Sequence, residues 1–253
     1  MKKMKKLFSL LLVLLVISFP VSASASGVPV LLYHNVTEGP TENDALMHIS
    51  TGMLEEHFKA LADNGYTAVS MSEYYDWRTK GIPLPKKCVL ITFDDGYISN
   101  YQYAYPLLKK YNLKATIYVI ASRMGAANVE FPHFSWQQAI EMEKSGYVEI
   151  ESHSFTHPDF STISYEQTVI EMRLSKYAIE TNMNKECRFF AYPYGKTNSS
   201  SAAVAAQAPY KMVSIVSNSG IAGSGTDFYN LPRHTVSGKM TGAELIEYLN
   251  NIN

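Results

Sequence analysis

The feature that most constrains this chain is its alternation of short apolar runs with amphipathic stretches. VPVLLYH (28–34), VLITF (89–93), ATIYVI (115–120), YVEIES (147–152), RFFAY (188–192), KMVSIV (211–216) and NLPRHTV (230–236) read as strands. Between them lie segments of helical period. In TGMLEEHFKALADNGY (51–66), Met53, Leu54, Phe58 and Leu61 share one face and Gly65 supplies a stop. Strands that alternate with helices predict βαβ units and a mainly parallel sheet. Six or seven such units in one domain close most naturally as a barrel. The expected class is therefore α/β, a single-domain barrel of about seven parallel strands.

Residues 1–25 stand apart from this pattern. MKKMKK is a basic start, LFSLLLVLLVI is an apolar run, and small residues end in Ala23-Ser24-Ala25. This is the pattern of a secretory signal peptide, with an uncleaved anchor as the alternative. The domain is expected over residues 26–253, and the product outside the cytoplasm. The segment carries four of the 22 basic residues and no acid, so 18 basic residues then face 23 acidic ones, a net charge of −5. That balance offers no basic footprint for nucleic acid or an anionic membrane. Cys88 and Cys187 each precede an apolar run. An exported protein could pair them, but two buried free thiols are the reading preferred here. No motif sets an oligomeric state, and a monomer is expected.

The polar clusters fall at strand ends. His34 follows VPVLLY, Asp94-Asp95-Gly96 follows VLITF, His153-Ser-Phe-Thr-His157 follows VEIES, and Tyr192-Pro-Tyr194-Gly195 follows RFFA. In parallel α/β folds the carboxyl ends of the strands share one face, where sites are built. Two adjacent carboxylates repel, and in a partly dry site they need a cation. Two histidines with one carboxylate form an open site for a divalent ion such as zinc. Pro158 and the preceding strand argue that the histidine pair sits in a loop rather than on a helix.

Together TFDDG (92–96), HSFTH (153–157), FAYPYG (190–195) and LYH (32–34) resemble the NodB-like polysaccharide deacetylases, carbohydrate esterase family four. The resemblance implies a deformed (β/α) barrel and metal-dependent removal of acetyl groups from N-acetylated sugars. It implies Asp94 as general base, Asp95, His153 and His157 as metal ligands, and the Tyr194 backbone N–H as oxyanion donor. Zinc is the expected ion, with cobalt or nickel as alternatives.

The family's usual LxH motif lies near the C-terminus, where this chain has Leu231-Pro-Arg-His234 with different spacing. Leu32-Tyr33-His34 matches at the N-terminus instead, as in the permuted subgroup that includes the poly-N-acetylglucosamine deacetylases. His34 is thus expected as the acid for the leaving amine, in preference to His234. The arginine expected before the PYG turn is missing, and Arg233 is the candidate to orient Asp94, against a plain surface arginine. Tyr192 and Tyr194 are the candidate sugar contacts.

The expected function is an exported N-deacetylase acting on N-acetylglucosamine-type residues of a cell-wall or exopolysaccharide polymer. The alternatives are an inactive glycan-binding barrel and a different amide hydrolase on the same scaffold.

Overall fold

Eight parallel strands form the sheet of this protein, seen in a computed structural model that describes residues 27–39, 44–207 and 210–252. In chain order they are β1 (Val30–Tyr33), β2 (Thr67–Val69), β3 (Cys88–Phe93), β4 (Ala115–Val119), β5 (Val148–Ser152), β6 (Phe189–Ala191), β7 (Met212–Val216) and β8 (Leu231–Thr235). Seven of them close a ring in the order β1-β8-β7-β6-β5-β4-β3, and β3 returns to β1 through Val30↔Leu90 to Tyr33↔Phe93. β2 stands outside the ring: it pairs with the first half of β3, at Cys88 to Leu90, whose second half pairs with β4. The expected signal peptide lies outside the described residues.

The sequence explains which strand is central. All six residues of β3, CVLITF, are buried, as a parallel strand covered on both faces requires. Side chains alternate between the barrel interior and the helical shell. Val30, Leu90, Tyr118, Phe189, Met212 and Leu231 form the inner cluster, and Leu31, Ile91, Ile117, Ile150, Phe190 and Val213 pack beneath the helices.

Among the described residues seven α-helices make the shell: α1 (Thr51–Asp63), α2 (Met71–Lys80), α3 (Tyr105–Tyr111), α4 (Trp136–Lys144), α5 (Tyr165–Met183), α6 (Ser199–Gln207) and α7 (Gly242–Ile252). Ser70, Ser135 and Ser164 each close a capping box with a Glu or Gln three residues on. On α1 the buried face is Leu54, His57, Phe58 and Leu61. His57 is held between the Tyr33 hydroxyl (3.1 Å) and the Met240 carbonyl (2.6 Å).

α3 is preceded by a π-helical turn, Asn100–Ala104, that the periodicity of YQYAYPLLKKYN does not predict. Pro106 has no N–H to give to the preceding turn, and the Tyr105 amide instead reaches back five residues to the Asn100 carbonyl. Cys88 and Cys187 are both buried free thiols, and Cys187 Sγ lies 3.3 Å from Glu151 Oε2. Among the described residues no helix is long and apolar enough to cross a membrane.

Candidate metal centre and active site

The strand ends of the barrel bring seven of the eight sequence-predicted site residues onto one face. At the end of β3 the chain turns sharply: Asp95 has φ +73° and Gly96 φ +81°. The Ile120 amide holds the Asp95 carbonyl at 3.3 Å, and the Asp94 amide bonds the Tyr33 carbonyl at 3.0 Å. Both carboxylates therefore point into the mouth of the barrel, where they are 2% and 4% exposed.

The HSFTH segment leaves β5 as a loop, as expected. His153 continues the strand by donating its amide to the Val119 carbonyl at 2.9 Å. Ser154 and His157 then take positive φ, 70° and 71°, and the His157 amide donates to Ser154 Oγ at 2.9 Å. Glu171 on α5 receives the Phe155 and Thr156 amides at 2.9 and 2.8 Å and so fixes the loop from behind. Asp95, Ser154, His157 and Tyr194 are four of the eight non-glycine residues with positive φ among the described residues. Backbone strain of this kind concentrates where a fold must aim side chains.

The three ligand atoms converge. His153 Nε2 lies 3.6 Å and His157 Nε2 3.3 Å from Asp95 Oδ1, and one ligand atom from each of the three residues falls within 4.8 Å of the others. A tetrahedral ion with bonds of about 2.0–2.1 Å sets its ligands about 3.4 Å apart, so the spacing fits a zinc-sized ion. Asp95 Oδ1 is buried and accepts no well-formed hydrogen bond, the signature of a lone pair reserved for another partner. His153 Nδ1 sits 2.8 Å from the Ala191 carbonyl. The carbonyl can only accept, so the proton is on Nδ1 and the Nε2 lone pair faces the cluster.

The electrostatics agree. Burial pushes the His153 imidazole down to about 4, which keeps it neutral as a ligand must be. Burial would raise Asp95, but the adjacent His157 ring first, then His153 and His34, hold it well below the ordinary carboxylate range.

Asp94 stands beside this cluster with a cation of its own. Arg233 on β8 is fully buried and grips it in a fork, Nη1–Oδ1 2.6 Å and Nη2–Oδ2 2.8 Å. Tyr118 lies beneath the guanidinium, 5.3 Å from ring centre to carbon. Burial opposes ionisation of Asp94, yet Arg233 first, then His153 and His34, keep its pKa below the usual value. Asp94 Oδ2 also lies 3.6 Å from His153 Nε2. Thus Arg233 faces the barrel interior. His234, one residue on, points out of it, with Nε2 2.6 Å from the Gly220 carbonyl and Nδ1 on the Tyr248 hydroxyl of α7.

His34 follows β1 and is partly exposed on the site face, close to both Asp94 and Asp95. Its Nδ1 is buried without a hydrogen-bond partner. Asn100, on the π turn, donates to the His34 carbonyl at 2.8 Å and fixes that strand end.

The two tyrosines part company. Tyr194 (φ +60°) is 60% exposed at the rim, its ring edge-on to His157 at 4.7 Å. Gly195 behind it has φ +65°, and a Cβ there would come within 2.5 Å of Val216 Cβ, so this turn tolerates only glycine. Tyr192 corrects the expectation of a sugar contact. It is 1% exposed, packed against Phe160 and Phe190, with its hydroxyl donated to the Ser201 carbonyl at 2.9 Å. The end of β6 turns this ring into the helical shell, away from the site.

Sequence reasoning missed Tyr97 and His133. Burial, then the Asp95 carboxylate, drive the Tyr97 phenol well above its normal range. The His133 ring packs against Tyr97 at 5.2 Å, and burial together with Arg123 lowers its pKa to about 4. Tyr97 directly follows the DDG motif and could have been found from it. His133 sits in a loop with no periodicity.

Comparison with known proteins gives the family. The polysaccharide deacetylase family profile matches residues 81–213. The YxkH protein of Bacillus subtilis (strain 168), which carries the name of a polysaccharide deacetylase, is 33% identical over 225 residues, 89% of this chain and 77% of that one. Poly-β-1,6-N-acetyl-D-glucosamine N-deacetylase of Staphylococcus aureus (strain MRSA252) is 28% identical over 198 residues, 75% of this chain and 68% of that one. The structure of Streptococcus pyogenes deacetylase PplD in complex with acetate superposes with a TM-score of 0.79 at 27% identity, over 89% of this chain and 99% of that one. The family profile spans both the TFDDG and the HSFTH segments, and the chain belongs to the polysaccharide deacetylase family, hydrolases of amide carbon–nitrogen bonds other than peptide bonds.

Proposed function

We propose that this protein is an exported, metal-dependent N-deacetylase that releases acetate from N-acetylglucosamine-type residues of a cell-wall or exopolysaccharide polymer. The observation that carries the reading is the division of labour between adjacent carboxylates. Asp95 keeps a lone pair unpaired beside the two histidine nitrogens, while Asp94 is held by Arg233 next to them. A binding protein has no need of a buried, ionised carboxylate next to a cation site.

Asp95, His153 and His157 would hold the ion, which as a Lewis acid polarises the acetamide carbonyl and acidifies water. Asp94, kept ionised at neutral pH by its guanidinium, takes the proton from the attacking water. The Arg233 fork fixes the plane of that carboxylate, since two parallel hydrogen bonds leave it one orientation. The Tyr194 backbone N–H, on a turn fixed by Gly195, donates to the oxygen that gains charge as water adds to the carbonyl. His34 gives a proton to the leaving amine, so that the carbon–nitrogen bond breaks to free amine and acetate. His34 and Asp94 sit on neighbouring strands, β1 and β3, so acid and base can face one acetamide from different sides.

The choice of substrate rests on the S. aureus relative, named for poly-β-1,6-N-acetyl-D-glucosamine. Export rests on the basic and apolar pattern of residues 1–25. The test is acetate release by the purified protein from β-1,6-linked poly-N-acetylglucosamine, peptidoglycan and chitin oligomers, before and after chelation. Metal-dependent release from the β-1,6 polymer is expected. No acetate from any polymer, or full activity in verified metal-free protein, would overturn the proposal.

A further inference from the structure

Beside the metal centre lies a cavity of about 380 Å³ that the proposed chemistry does not use, lined by Tyr97, Arg123, Val129, Glu130, Phe131 and His133, with Ala126. His133 is the buried member, 5% exposed, and neither of its ring nitrogens has a well-formed hydrogen bond. The Phe131 backbone approaches it, its ring packs on Tyr97, and Arg123, Asp95 and His157 act on it by charge without bonding to it. Buried polar groups without partners are rare because they are costly, so this imidazole is built for something the protein itself does not supply.

The cavity is also tied to the reacting carboxylates. Tyr97 and His133 pair as an antiparallel bridge, the Ile98 amide bonds the Pro132 carbonyl at 2.7 Å, and the Phe134 amide bonds the Gly96 carbonyl at 3.2 Å. The loop that carries His133 is thus stitched to the turn that carries Asp94 and Asp95. Tyr97 is a shared wall, acting on Asp95 on one side and lining the cavity on the other.

The lining indicates the chemistry of the occupant. A neutral imidazole offers one donor and one acceptor, the complement of a hydroxyl group. Phe131, 37% exposed and set between His48 (5.3 Å) and Tyr97 (5.9 Å), presents an aromatic surface of the kind a pyranose covers with its C–H face. Arg123 and Glu130 contribute one charge of each sign, so the cavity has no bias toward an ionic group. We propose that this cavity is a subsite for a neutral pyranose of the substrate chain, the sugar next to the one that is deacetylated, with His133 hydrogen-bonded to one of its hydroxyls. The proposal rests on the deacetylase reading for the identity of the chain, and on the cavity alone for its binding.

The experiment has two arms on the zinc-loaded protein. In the first, acetate release is followed on β-1,6- and β-1,4-linked N-acetylglucosamine oligomers of one to four residues. The wild type should gain about tenfold or more in kcat/KM with length. His133→Phe, which fills the cavity, and Phe131→Ala, at an exposed position that the fold tolerates, should each erase most of that gain through KM, with bound zinc unchanged. A length dependence identical to wild type in both variants overturns the subsite. In the second arm, tetramer binding to the Asp94→Asn protein is measured by calorimetry, and adding His133→Phe should weaken it about tenfold, the size of one good hydrogen bond. His133-dependent binding with no acetate from any oligomer would keep the subsite and overturn the deacetylase reading. Binding indifferent to His133 would overturn the subsite whatever the activity.

Discussion

Removing Arg233 should expose how much of the fold depends on one ion pair. Arg233→Met keeps most of the buried volume and deletes the guanidinium. The side chains of Arg233 and Asp94 are 0% and 3% exposed, with fork bonds of 2.6 and 2.8 Å. Stripping one member from a buried pair leaves an uncompensated charge, a cost of about 3–5 kcal/mol. The penalty should depend on pH with a definite sign. The folded Asp94 has a lowered pKa, so the stability that the pair provides is present above the ordinary carboxylate range and fades as pH falls through it. Urea denaturation with chelator present, so that metal binding adds nothing, should therefore show a gap of about 3–5 kcal/mol between wild type and variant at pH 7. The gap should narrow as pH falls from 7, because the buried carboxyl without its guanidinium protonates above the ordinary carboxylate range while the wild-type pair is lost only below it. In the metal-loaded enzyme the acid limb of the rate profile should move to higher pH. Arg233→Lys should recover part of the stability but less of the turnover, since an ammonium cannot form the fork. Equal stability of wild type and Arg233→Met at pH 7 would refute the argument that this guanidinium sustains the buried carboxylate.

Three further outcomes follow from the site and the barrel. His153→Ala and His157→Ala should each weaken zinc binding by at least about tenfold, read by competition with a chromophoric chelator, because each deletes one of three converging ligand atoms. His34→Ala should lower turnover by about 10²–10⁴ with zinc retained, whereas His234→Ala should leave turnover nearly intact and cost about 1–3 kcal/mol in denaturant, since it strands the Tyr248 and Gly220 partners. Burial, with the neighbouring Glu151 charge, raises Glu149 to about 8. Its protonated form thus favours the fold below about pH 4.5 and that contribution is lost as pH rises toward 8, so the thermal midpoint of Glu149→Gln should vary less with pH across this window than that of wild type.

The barrel was legible because its evidence is local. Six buried residues in a row at 88–93 and the apolar face of 51–61 are periodic signals that need no knowledge of distant contacts. The metal cluster was legible for a related reason: TFDDG and HSFTH are short, and each lies at the end of a recognisable strand. What escaped depends on contacts far apart in sequence. Tyr192 and Tyr194 lie two residues apart in one motif, and only the φ of +60° at Tyr194 and the shell behind β6 send one outward and the other in. His133 meets Tyr97 across 36 positions through a bridge that no composition foretells. The π turn at Asn100 arises from Pro106, but its consequence, a clamp on the His34 carbonyl, is a tertiary fact.

The contact between the first and last strands has a consequence for how the enzyme comes into being. His234 lies opposite Leu31 and Thr235 opposite Leu32, so the ring is sealed only when the end of the chain returns to its beginning. The residues at the seam are His34 on one side and Arg233 on the other, while Asp95, His153 and His157 all lie in between. A nascent chain that has emerged as far as residue 200 already carries Asp95, His153 and His157 but not the guanidinium that pairs with Asp94. The three-residue cluster can therefore assemble before Asp94 gains its cation, and closure of the ring is the step that completes the proposed site. A join across the seam and a cut in a loop elsewhere would therefore preserve the same strand neighbours and the same site.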